Sequence, residues 1–185
     1  MPPVEHAGWQ TEAERKAIQV LGMVFVPFGI WGAIALVLLI VVDTIHLLGP
    51  WSLPIWRDLR SLGEQGAGRD HGPILLALGG AVVLFIVPQP WSWGICSMAF
   101  VGDGMAAVIG KAVGGPYTPF RPDKTIAGAL SCAAAIAVVS FIAGIPWFSS
   151  LLLAATGMCV EYLSPGGTDN VLLPFSGIGV WAVMA

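Results

Sequence analysis

Asp103 stands near the middle of a run from Trp91 to about Val113 that is otherwise apolar except for Lys111. A carboxylate inside such a helix costs upwards of ~2.5 kcal/mol even on a lenient insertion scale, so it demands a partner. A neighbouring helix could satisfy it in a purely structural role, but a buried acid of this kind more often marks a site. Lys111 and Lys124 bracket the Gly- and Pro-rich stretch 114–124, which also carries Arg121; Glu161 closes a later apolar run, and Asp169-Asn170 opens the next. Each has a bland reading: lysines anchor helix ends at a membrane boundary, and Asp169-Asn170 makes a polar turn and a cap. Taken together, three carboxylates (Asp103, Glu161, Asp169) opposite three cations (Lys111, Arg121, Lys124) suit a Mg²⁺-bound polyphosphate. The carboxylates are hard oxygen ligands for the metal, and the cations and a helix start receive the phosphates.

The residues around Asp103 carry a second pattern. Gly102, Ala106, Gly110 and Gly114 recur every fourth position, a small-residue ridge that allows close helix approach. Such packing does not require the aspartate. The phosphate-loop pattern G-x-x-x-x-G-K-[ST] is excluded, because Met105 occupies the first glycine position and Ala112 replaces the hydroxyl after Gly110-Lys111.

The elements that must position these residues are membrane elements. Of 185 residues, 56% are hydrophobic and only 10% charged, against roughly 25% charged in soluble domains. The fold class expected is all-α, a polytopic transmembrane helical bundle of about six (five to seven) segments with short interfacial helices, forming one domain over 1–185. A polar N-terminal segment, 1–19, precedes Ala17 to Val42, which contains no charge and exceeds the ~20 residues a span needs. With Pro27 and Gly29 as break points, this region is either one long tilted helix or a tight pair of short ones. A polar connection over 49–72 includes a short interfacial helix around Ile55 to Leu62. Pro73 to Val87 and Trp91 to Val113 form a helical hairpin turned at Pro88-Gln89-Pro90, and Ile126 to Ile145 and Trp147 to Val160 form another turned at Pro146. Asp123 or Thr125 caps the first of that second pair, and Val171 to Ala185 is a last, short apolar stretch.

If each hairpin turns once, the connections 49–72, 114–125 and 161–170 share one side. Arg57, Arg60, Arg69, Arg121 and Lys124 all fall there, which the positive-inside rule makes cytoplasmic. Arg15 and Lys16 join them only if the first apolar region is itself a hairpin. The expected location is the plasma (inner) membrane of a prokaryote, with no removed signal peptide. A net charge of -3 with scattered basic residues excludes a nucleic-acid surface. Cys96, Cys132 and Cys159 make no C-x-x-C pair, and His6, His46 and His71 lack metal-ligand spacing, so neither set suggests a metal. Trp51, Trp56, Trp91, Trp93 and Trp147 flank segment ends as an interfacial belt does.

Three blocks carry a resemblance: Gly102-Asp103-Gly104-Met105-Ala106-Ala107-Val108-Ile109-Gly110-Lys111, Pro122-Asp123-Lys124-Thr125-Ile126-Ala127-Gly128, and Val160-Glu161 with Asp169-Asn170-Val171-Leu172-Leu173-Pro174. In order and spacing, over about residues 64 to 185, they resemble the polyprenol kinase family, which comprises dolichol, phytol and CTP-dependent diacylglycerol kinases and is distantly related to the CDP-diacylglycerol synthases. Arg15-Lys16-Ala17-Ile18-Gln19 resembles the family's N-terminal Arg-Lys-x-x-His, with Gln19 where the histidine stands. The resemblance implies a membrane enzyme that moves the γ-phosphoryl group of CTP to a lipid alcohol in the bilayer, with Mg²⁺ as cofactor. It implies catalytic roles for Asp103, Lys124 and Glu161, with Asp103 either binding metal or accepting the hydroxyl proton. Asp103, Glu161 and Asp169 would hold metal, and Gly102, Gly104, Lys111, Arg121, Lys124, Thr125, Gly128 and Asn170 would hold the nucleotide. A homodimer is left open. A cytidylyltransferase acting on phosphatidate is the nearest alternative, disfavoured because Asp169-Asn170 runs straight into apolar sequence; a small transporter with Asp103 as its ion site is the other, and no internal repeat supports it.

Overall fold

Proline and glycine cut this apolar chain into short helices, and the cuts decide which polar residues meet. In the computed structural model the described residues are 16–17, 19–48, 72–117, 124–164 and 168–185. Among them the structure is all-helical apart from an isolated antiparallel bridge between Tyr117 and Thr125. The interfacial helix expected around Ile55 to Leu62, together with Arg57, Arg60, Arg69, Arg121 and Asp123, lies outside the described residues.

The first apolar region is a tight pair of short pieces. A helical turn at Gln19–Leu21 runs into a 3₁₀ helix, Gly22–Phe28, which contains Pro27 and stops at Gly29 with φ 53°, a left-handed backbone that glycine adopts without penalty. The chain then reverses into α1, Ile30–Leu48. Gln89 Nε2 donates to Val26 O and Pro27 O, both at 3.2 Å, tying this reversal to the next hairpin turn. Gly22 lies flat on the Phe100 ring, where a Cβ has no room.

The other helices are α2 (Gly72–Ile86), α3 (Trp91–Val113), α4 (Ile126–Ile142), α5 (Trp147–Leu163) and α6 (Asp169–Met184). Both expected hairpins are present. The α2–α3 turn holds Gln89-Pro90, and the α4–α5 turn holds Gly144 at φ 93° before Pro146. Thr125 caps α4, its Oγ1 accepting the Gly128 amide at 3.1 Å. Pro174 sits inside α6 where Gly79 of α2 leaves it space.

α3 is the central helix, packing against α2, α4, α5 and α6. It changes winding at Met98–Gly102, a π-helical turn immediately before Asp103. Its small-residue ridge does what the four-residue repeat predicts: Gly102 receives Cys132 and Ile136, and Gly110 and the Ala106 carbonyl receive Gly128. Ile95, Met98, Ile136, Leu153 and Leu173 fill the interior without solvent contact.

The exterior is apolar. Trp31, Ile142 and Val183 are 73%, 78% and 84% exposed, and Leu38, Phe141, Leu151 and Leu163 also face outward, whereas Ser92, Ser97, Ser140, Ser149 and Ser150 are buried. By length and composition one helix, Trp91–Val113 with 23 residues and mean hydropathy 1.4, can cross a membrane; the remaining apolar helices have 10–17 residues. At 1.5 Å per residue, a 17-residue helix spans about 26 Å, close to the ~30 Å hydrocarbon core but short of it.

The α3–α4 contact generates a stability contrast. A Cβ on Gly128 would lie 2.7 Å from the Ala106 backbone oxygen, which cannot yield, whereas one on Gly157 would meet first the movable end of Ile136. Gly128→Ala is expected to cost about 1–3 kcal/mol and Gly157→Ala clearly less, read as the midpoint of heat-induced loss of the monodisperse protein; equal midpoints would refute the close α3–α4 packing.

Candidate functional site

The reversal at Gly29 returns the start of the first segment to the middle of α3, where it meets Asp103. Lys16 Nζ lies 2.5 Å from Asp103 Oδ2, and the two side chains are 8% and 7% exposed. Gln19 Nε2 donates to the same oxygen at 2.6 Å and to Ala99 O at 2.7 Å, while Gln19 Oε1 accepts from Lys16 at 3.0 Å. The π turn makes the second of these bonds available. The Asp103 amide pairs with Met98 O, five residues back, so the Ala99 carbonyl that an unbroken α-helix would give to that amide accepts from Gln19 instead. A primary amide supplies two donors on one nitrogen and an acceptor beside it, which is the set this position uses.

A second cation holds the other acids. Lys124, just before the Thr125 cap of α4, places Nζ 2.9 Å from Glu161 Oε1, 3.3 Å from Asp169 Oδ2 and 2.5 Å from the Glu161 carbonyl oxygen, with Ser164 Oγ at 3.5 Å. Glu161 comes from the last turn of α5 and Asp169 from the first turn of α6, so Lys124 bridges three helix ends. Asp169 Oδ1 also accepts the Asn170 amide at 3.0 Å.

These two groups form one site. Oxygens of Asp103, Glu161 and Asp169 all lie within 4.8 Å of one another. Among the described residues, these three carboxylates meet the ammonium groups of Lys16 and Lys124 in a mostly buried setting. Glu161 Oε2 is buried and has no hydrogen-bond partner. An orphaned carboxylate oxygen beside two further acids fits a hard divalent cation such as Mg²⁺. Asp103, Glu161 and Asp169 are the residues that would hold it.

The remaining candidates are placed as follows. Thr125 is the α4 cap, with its hydroxyl engaged by Gly128. Gly102 and Gly128 face neighbouring helices at close range, and Gly104 lies in ordinary contact with Val20 and Lys16. Lys111 is exposed on the last turn of α3, about 12 Å of helix rise beyond Asp103. Asn170 is half-buried in the first turn of α6, and Arg121 lies outside the described residues. Lys16 and Gln19 were visible only as part of the Arg15-Lys16-x-x-Gln19 resemblance. The signal that could have found them is their spacing of three, which puts them on one helix face at the entry of the first apolar run. No family model, curated protein or solved structure matches this chain.

Removing one partner of a buried pair strands the other, at a cost of about 3–5 kcal/mol. Lys16→Met is therefore expected to be strongly destabilising, and Asp103→Asn added to it should recover most of the loss, as measured by thermal midpoints in a double-mutant cycle. Additive losses would refute the pairing.

Proposed function

We propose that the chain is a membrane-embedded kinase of lipid alcohols, transferring the γ-phosphoryl group of a nucleoside triphosphate, CTP by the resemblance described above. The observation that carries the proposal is the convergence of Asp103, from the middle of α3, with Glu161, Asp169, Lys16 and Lys124 inside an apolar-surfaced bundle. Membrane embedding is supported by the outward-facing Trp31, Ile142 and Val183 and by serines turned inward, the reverse of a water-facing distribution. On this reading all the short helices are membrane segments or re-entrant pieces, and the site faces the cytoplasmic leaflet.

Mg²⁺, when bound, would neutralise phosphate charge and polarise the group being transferred. The chain's own residues then have separable tasks. The alcohol oxygen forms a bond to the γ-phosphorus while the bond from that phosphorus to the β–γ bridging oxygen breaks, releasing the nucleoside diphosphate. The hydroxyl proton passes to a carboxylate of the site; Asp103, which Lys16 and Gln19 hold in one orientation, is either that acceptor or a ligand of the metal. Lys124 reaches two of the acids and, through its flexible stem, can redirect toward phosphate oxygens. Glu161 and Asp169 keep the acidic side of the site fixed at the junction of α5 and α6. Catalysis is thus chiefly positioning and charge neutralisation.

The test is transfer of label from γ-labelled CTP or ATP to isoprenoid alcohols and diacylglycerol by the purified protein with Mg²⁺. Labelled lipid phosphate is expected, and Asp103→Asn should lower kcat by roughly 10²–10⁴-fold, the range of a positioned proton acceptor. A CDP-lipid product would instead assign a cytidylyltransferase, and absence of any labelled lipid would remove the enzyme reading.

A further inference from the structure

On the outer side of the α4–α5 pair lies an open apolar groove of about 470 Å³, within the ~300–1,000 Å³ typical of ligand sites. Ile126 and Leu130 line it from α4, and Met158, Cys159, Tyr162 and Leu163 from α5. The α5 residues fall on one helix face, whereas Glu161 and Gly157 are buried on the adjoining inner face. We infer that this groove seats the hydrocarbon chain of the lipid alcohol, with the hydroxyl end at Lys124 and Glu161. The inference rests on the kinase reading and adds where the substrate chain lies.

Two observations choose this occupant over any other. The groove is open to the exterior through Ile126, Leu130 and Leu163, which are 41%, 59% and 60% exposed, so a chain can enter sideways from surrounding lipid. Its end at the start of α4 and the close of α5 adjoins the site along the chain. Ile126 follows Thr125 and Lys124 at the start of α4, and Leu163 is flanked by Glu161 and Ser164, both of which Lys124 Nζ contacts. A chain lying between Leu130 and Met158 thus runs toward the helix ends that carry Lys124 and Glu161. The lining has apolar side chains apart from the phenol of Tyr162 and the thiol of Cys159, so it offers dispersion and hydrophobic burial rather than headgroup recognition. A polar peptide or a free nucleotide finds no matching donors there.

Cys159 supplies a reporter, because it is exposed within the groove while Cys96 and Cys132 are buried. In nanodiscs of the full chain, the rate of Cys159 labelling by N-ethylmaleimide is measured with a long-chain prenyl alcohol, a single-isoprene-unit alcohol, and a hydrocarbon of the long alcohol's length lacking the hydroxyl. The long alcohol, at about four times its Kd, is expected to slow labelling about fivefold, and the other two much less. No slowing by the long alcohol, or equal slowing by either control, overturns the inference. Leu130→Trp, at an exposed position that tolerates bulk, should raise KM for the long alcohol roughly tenfold and move kcat far less; an unchanged KM counts against the groove. Phosphoryl transfer without Cys159 protection removes the groove and leaves the kinase. Protection without transfer to any alcohol removes the kinase and leaves a chain-binding groove.

Discussion

Charge compensation among Lys16, Asp103, Lys124, Glu161 and Asp169 is the constraint on which this structure turns. Acid oxygens within 4.8 Å of one another repel by about 3 kcal/mol or more per ionised pair, even at an effective dielectric of ~20. Two ammonium groups make the arrangement tenable. One grips Asp103 from the N-terminal turn, and the other joins the start of α4 to the end of α5 and the beginning of α6. The polar contacts thus tie together five parts of the chain that hydrophobic packing alone would leave free to shift along one another, since apolar contacts have little directional preference.

The helix breaks serve this compensation. Without the reversal at Gly29, the first segment would continue as one helix and carry Lys16 away from α3; with it, the chain passes Phe100 and delivers Lys16 and Gln19 to Asp103. The π turn at Met98–Gly102 does the complementary work on α3. It frees the Ala99 carbonyl for Gln19, so one amide fixes both the side chain and the backbone of the Asp103 turn. Four helix ends, each with orphan backbone groups or a charged terminal residue, then surround the acids.

Much of this was legible in the sequence. The hairpin turns at Pro88-Gln89-Pro90 and Pro146, the break at Pro27-Gly29 and the Thr125 cap follow from residues with strong local preferences, and the structure has them all. Asp103, Glu161, Asp169 and Lys124 stood out because charge is so scarce in this chain that each one must be accounted for. What sequence could not supply was contact at long range: Lys16 meets Asp103 across 87 positions, and nothing in either residue's neighbourhood specifies the other. The π turn has no residue signature either. The glycines around Asp103 have two good uses, phosphate approach and helix packing, and spacing alone does not choose between them; Gly102 and Gly128 pack against helices.

The lysines also explain why the site can be both stable and reactive. A cage of three acids with no cation would separate, and one permanently neutralised by rigid guanidinium forks would have little capacity to rearrange. Lysine is a point charge on a flexible stem, so its ammonium can leave a carboxylate for a phosphate without moving the backbone. Lys124 already divides its three donors among Glu161 Oε1, the Glu161 carbonyl and Asp169, and losing one of these leaves the other two to hold the α4–α5–α6 junction. Lys16 has fewer alternatives, and Gln19 holds the same Asp103 oxygen beside it. On the proposed kinase reading, the same polar groups that stabilise the fold would let phosphate replace a carboxylate one contact at a time, as a phosphoryl-transfer site in an apolar bundle requires.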